Sequence, residues 1–182
     1  MSETSPLFGS AHAALIFAYH YDSQSPDTPL RRLVRTPGGE KGRGHGLRGV
    51  DAAAQAGIIL DVVDRLPPEQ RRVLRVRYGD VRSQCAHCGS LAPSQAWLDA
   101  VEELSHCVEL EGLPREVRHA AVERALRTRK WDAARLSKVY GLTERTLRHQ
   151  VQKLRERFAH VEKLALGALE EGFRRQPGMV PE

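Results

Sequence analysis

Aromatic side chains make up only 5% of this sequence, and methionine and tryptophan occur twice each, so its core must be built chiefly from Leu, Val, Ile and Ala. Its three cysteines are odd in number and too few for a disulfide framework of the kind that staples small secreted domains; they suit a reducing compartment. No apolar run approaches the roughly 20 residues of a membrane helix. The opening MSETSPLF has neither the basic nor the apolar region of a signal peptide, so a soluble, intracellular protein with no membrane partner is expected. Paired carboxylates, a Ser/His/Asp constellation and a phosphate loop are also missing, and the expectation is a protein that is not an enzyme.

What is present is a chain of 182 residues, enough for one compact domain with appendages. Lys and Arg (28) exceed Asp and Glu (23), giving a net charge of +5 and a pI near 9.4. That excess suits a nucleic-acid partner without establishing one.

The most informative stretch is Trp131 to Phe158, WDAARLSKVYGLTERTLRHQVQKLRERF. Leu136 and Tyr140 share one helical face, Ser137 is small where two helices must approach, and Gly141 can end the helix in the left-handed conformation. Thr143 then caps a second helix in which Leu147, Val151, Leu154 and Phe158 recur at the spacing of a buried stripe. Its other face carries Arg145, Thr146, Arg148, His149, Gln152, Lys153 and Arg155, donors and cations suited to base edges and phosphates in a major groove. The bland alternative is a helical hairpin with a solvated basic face.

Upstream, Ser10 to Tyr21 forms a short apolar helix that needs a partner, and His12 and His20 within it lack a third ligand for a metal. From Asp22 to Gly49, prolines and glycines break every period while Arg31, Arg32, Arg35, Lys41, Arg43 and Arg48 outnumber the acids. This is either a solvated linker or a basic arm that orders on DNA. The GHGLRG within it spells GxGxxG but follows no strand, so dinucleotide binding is not expected. Asp51 starts a helix carrying Ile58, Ile59, Val62 and Val63 inward, and Pro67 and Pro68 separate it from a basic amphipathic helix holding Val73, Leu74 and Tyr78 among Arg71, Arg72, Arg75 and Arg77.

Between these helices and Trp131 lies a segment with a cysteine pair. Cys85 and Cys88 have the CxxC spacing whose turn points two thiolates at one zinc, Cys107 follows at the distance of a second half-site, and His106 adjoins it. Four ligands from only three cysteines require a histidine, so the candidate set is Cys85, Cys88, Cys107 and His106, with His119 farther on. A redox pair at Cys85 and Cys88, or plain thiols, are the alternatives. Trp97, Val101, Leu104 and Val108 form one stripe, and Pro114 opens a helix with Val117, Ala121, Val122, Ala125 and Leu126 inward. Beyond Phe158 the stripe continues through Val161, Ala165 and Leu169, with Gly167 and Gly172 as expected breaks; packing on the Asp51 helix is favoured over pairing two chains. The tail FRRQPGMVPE is expected to be loop.

Residues Leu66 to Gly79, LPPEQRRVLRVRYG, resemble the opening helix of bacterial sigma factor region 4, and Trp131 to Phe158 resemble the helix-turn-helix that follows it there. Together they cover about two fifths of the chain, in the right order, interrupted by residues 80–130. No segment for promoter melting precedes them, so a free-standing sigma factor is not expected. A basic region 4-type helix-turn-helix broken by a cysteine-bearing segment is similar to phage late-gene antiterminators of the Q class. That resemblance implies DNA binding near a late promoter, capture of RNA polymerase paused with its sigma factor, and residence in the cytoplasm of a bacterial host.

The expectation is thus an all-α protein: an N-terminal helix (1–21), a basic arm (22–49), the first core helices (50–80), an insert with CxxC and two helices (81–130), a helix-turn-helix (131–160) and a C-terminal helix and tail (161–182). It would bind double-stranded DNA through Thr143, Arg145, Thr146, Arg148, His149, Gln152, Lys153 and Arg155, as monomer or homodimer, with structural zinc in the insert. The rival readings are a conventional repressor or activator, an adaptor that grips RNA polymerase or sigma factor without DNA, and an enzyme using the thiols.

Overall fold

A computed structural model describes residues 7–23, 50–84, 90–127 and 132–175. The basic arm from residue 24 on, the GHGLRG stretch, Cys85, Cys88, Trp131 and the tail from residue 176 lie outside the described residues. Among those described the fold is mostly helical. Helices α1 (Ala11–Ser23), α2 (Val50–Asp64) and α3 (Pro68–Tyr78) are followed by strands β1 (Arg82–Gln84) and β2 (Leu91–Pro93). Then come α4 (Gln95–Leu104), a 3-10 turn (Val108–Leu110), α5 (Arg115–Leu126), α6 (Ala133–Tyr140) and α7 (Glu144–Arg174).

The chain forms two compact units, one from Met1–Leu66, Tyr78–Ser94 and Ala165–Glu182, the other from Pro67–Arg77 and Gln95–Leu164. In the first, α1 packs on α2. Leu15, Ala18 and Tyr19 of α1 and Ala56, Ile59 and Val63 of α2 are buried with Phe8, Ala165, Leu169 and Phe173. The apolar α1 has thereby found the partner that its sequence required. One inward assignment is corrected, since Ile58 is 40% exposed, as is Ile16 of α1 at 41%; small residues at Ala14, Ala18, Ala52 and Ala56 take the buried positions, which lets the helices approach closely.

The hairpin was not expected. Strands β1 and β2 pair antiparallel with Arg82 opposite Pro93, Ser83 opposite Ala92 and Gln84 opposite Leu91, and Ser94 N–H donates to Val81 O at 2.9 Å. Three-residue strands give too short a period to read. Their pairing brings together the two ends of the segment that contains Cys85 and Cys88.

The C-terminal helix is continuous and takes in Phe173 and Arg174, expected to begin the tail. Gly167 and Gly172 do not break it: α7 runs unbroken for 31 residues, because its apolar stripe stays in register through Val161, Ala165, Leu169 and Phe173, all buried. Gly172 sits against α2, where an added Cβ would lie 2.9 Å from Val62 Cγ1; Gly167 has open space around it. This close approach fits the intramolecular packing expected from the sequence. Gly167→Ala should therefore stabilise the protein by about 0.5–1 kcal/mol through helix propensity. Gly172→Ala gains the same propensity but must displace Val62, so its midpoint in thermal unfolding should fall below that of Gly167→Ala. Equal midpoints would refute the close approach.

In the second unit Trp97 is buried and its Nε1–H donates to Val76 O at 3.3 Å, while Arg127 Nε donates to the same carbonyl at 2.7 Å and Arg77 Nη1 to Leu126 O at 2.5 Å. Side chains thus satisfy the carbonyls that the ends of α3 and α5 leave without helical partners.

Candidate nucleic-acid interface

Helices α6 and α7 are set by caps at each junction. The Asp132 carboxylate accepts from Arg135 N–H at 2.9 Å, starting α6. Gly141 ends it at φ 66°, a conformation that costs a side-chain-bearing residue dearly. Ser137, expected only to be small, donates its hydroxyl to Leu142 O at 2.5 Å and so ties the first helix to the turn. Thr143 Oγ1 accepts from Thr146 N–H at 3.1 Å, and the two hydroxyls lie 2.8 Å apart, which caps α7 as its sequence predicts.

Burial orients the second helix. Leu147, Val151, Leu154 and Phe158 are all buried, and the opposite face holds exposed Arg145, Thr146, Arg148, His149, Gln152 and Lys153, with Arg155 half-buried at its edge. The eight residues singled out for DNA are therefore brought onto one accessible side of one helix start. Their states differ. Arg148 is paired with Glu144 at 2.8 Å, Gln152 donates to Glu156 at 2.8 Å, and Thr146 is engaged with Thr143. Arg145, His149, Lys153 and Arg155 make no ion pair or hydrogen bond with any described residue.

The basic helix α3 is different, although its sequence looked equally suited to phosphates. Arg72 pairs with Glu103, Arg77 reaches Glu162 at 3.5 Å as well as Leu126 O, and Arg71 and Arg75 are engaged too. Its cations serve the protein itself.

Arg157, which sequence reasoning passed over, holds α7 in place. Its Nε and Nη2 donate to Glu69 Oε1 at 3.1 and 2.7 Å and its Nη1 to Glu109 Oε2 at 2.6 Å. Burial works against the Arg157 charge, yet the hydrogen bonds to Glu69 and Glu109 outweigh it and raise its pKa. No local signal could have named these partners, 88 and 48 residues away in sequence.

The candidate zinc ligands that are described do not converge. His106 is exposed, with Nε2 3.1 Å from Glu102 Oε1 and Nδ1 3.4 Å from Arg118 Nη1. The same Glu102 binds Arg115 and lies 2.7 Å from His119 Nε2, and the hydrogen bond from Arg115 leads the causes that hold its pKa down to about 2. Cys107 instead sits half-buried beside Glu109; burial first, then that carboxylate, push its thiol up to about 11. Among the described residues no group of three His, Cys, Asp or Glu side chains could hold a metal. Cys85 and Cys88 lie outside the described residues.

The chain matches no protein-family model and no curated protein. No helix among its described residues is long and apolar enough to cross a membrane.

Proposed function

We propose that this protein is a sequence-specific double-stranded DNA-binding regulator of transcription, that α6 and α7 are its helix-turn-helix, of the sigma region 4 type, and that it acts with RNA polymerase as a phage-type antiterminator. One observation carries the DNA-binding part: the donors on the outer face of α7, Arg145, His149, Lys153 and Arg155, have no protein partners among the described residues, whereas the cations of α3 are engaged. Holding long cations unpaired on a well-capped helix, at the end where a major-groove helix presents its first turns, suits a polyanionic partner. The antitermination part rests on the resemblance to the Q class alone.

An adaptor that docks on polymerase or sigma factor is the second reading, supported by Val139 of α6, which is 62% exposed beside half-buried Leu136 and Tyr140. The two readings are compatible, because these residues lie on α6 and the unpaired cations on α7.

Purified protein is titrated with duplex fragments flanking its own gene across a salt series, with zinc assayed on the same sample. Tight binding to one fragment, falling steeply with salt, supports the regulator; binding to polymerase subunits with no affinity for any fragment would replace it by the adaptor. Lys153→Ala should weaken all fragments about equally and lower the salt slope by about 1, as loss of one phosphate contact does. Zinc enters through Cys85 and Cys88: about one equivalent in the native protein, lost in Cys85→Ser, is the expected result. Since His106 and Cys107 face different partners, His106→Ala and Cys107→Ser assayed separately would name which of them completes the set.

A further inference from the structure

Hydrogen bonding within α7 sorts its exposed face more finely than residue type does. Gln152, whose amide matches adenine, has its Nε2 donated to Glu156, and the Arg148 guanidinium is drawn to Glu144. Arg145 and His149 remain open toward solvent, one turn apart and on the side opposite Leu147 and Val151. Both offer donors to an outside partner: the Arg fork donates only, and a neutral imidazole can donate from one ring nitrogen. In the major groove, guanine is the base that presents two acceptors, N7 and O6, and no donor. Four residues rise about 6 Å along a helix, under two base-pair steps of about 3.4 Å.

Resting on the DNA-binding reading above, we infer that α7 is a guanine reader: Arg145 and His149 recognise two guanines within about two base-pair steps of each other in the DNA target. Arg145 supplies the fork to N7 and O6, and His149 one hydrogen bond to N7 of the second guanine.

The full chain is used to select duplexes from a random pool at fixed salt, and the selected duplex is then rebuilt with 7-deazaguanine at each guanine in turn, which removes N7 alone. Two closely spaced positions should each lose affinity, the stronger by roughly 2- to 12-fold, half the free energy of one bidentate base contact. Arg145→Ala should make the stronger position indifferent to the change while leaving the weaker one sensitive, and His149→Ala the reverse. Selection of a defined duplex whose binding ignores every 7-deazaguanine substitution would overturn the guanine assignment and leave the DNA-binding reading intact. Selection of no duplex at all would overturn both. A sensitive pair that persists unchanged in both variants would show that other residues read the guanines, and would overturn the assignment to Arg145 and His149.

Discussion

Phe158→Ala is expected to cost about 3–5 kcal/mol, the usual range for removing a buried phenyl ring. Phe158 is 1% exposed and belongs to the stripe that begins at Leu147 and orients α7. Small domains have about 5–15 kcal/mol in total, so this one substitution would remove much of the stability of the unit that carries α6 and the first two thirds of α7. Denaturant unfolding followed by helix signal should show the midpoint falling steeply, and DNA binding should vanish at temperatures where the variant unfolds rather than weaken evenly. Phe158→Leu, which keeps most of the volume, should lose far less. A cost under about 1 kcal/mol for the alanine variant would mean that α7 is not seated by this residue.

The contrast between local and distant determinants explains what the sequence revealed. Gly141, Thr143 and the stripe from Leu147 to Phe158 were readable because caps and helical periodicity are local: each depends on residues within one or two turns. The Glu144–Arg148 pair is just as local, and its spacing of four could have been read. The hairpin was hidden because three-residue strands carry no period. The continuity of α7 was misjudged because glycine marks a break only where the stripe also ends; here burial of Leu169 and Phe173 offsets the propensity cost. The different fates of the two basic helices were beyond any sequence pattern. Arg72 finds Glu103, and Arg157 finds Glu69 and Glu109, only after folding, and composition alone cannot say which arginines stay available.

That availability sets the largest functional prediction. A triple variant with Arg145, Lys153 and Arg155 each changed to Gln should retain the fold, because none of the three is paired with a described residue, and should lose at least about 100-fold in DNA affinity at moderate salt. Its net charge falls from +5 to +2, so a charge-matched control is needed. Arg65, Lys163 and Arg175 serve: Arg65 and Arg175 are exposed and only paired four residues away, to Asp61 and Glu171, and Lys163 is exposed on α7. Surface pairs of this kind contribute about 0–1 kcal/mol, so the control should fold as well. If affinity depended on total charge alone, both triples would weaken alike. If α7 docks on DNA by its outer face, the control should lose only a few-fold, since charges away from the contact act across a screened distance of about 8–10 Å. Equal losses in the two triples would remove the outer face of α7 as the docking surface, and would direct attention to the basic residues 31–48.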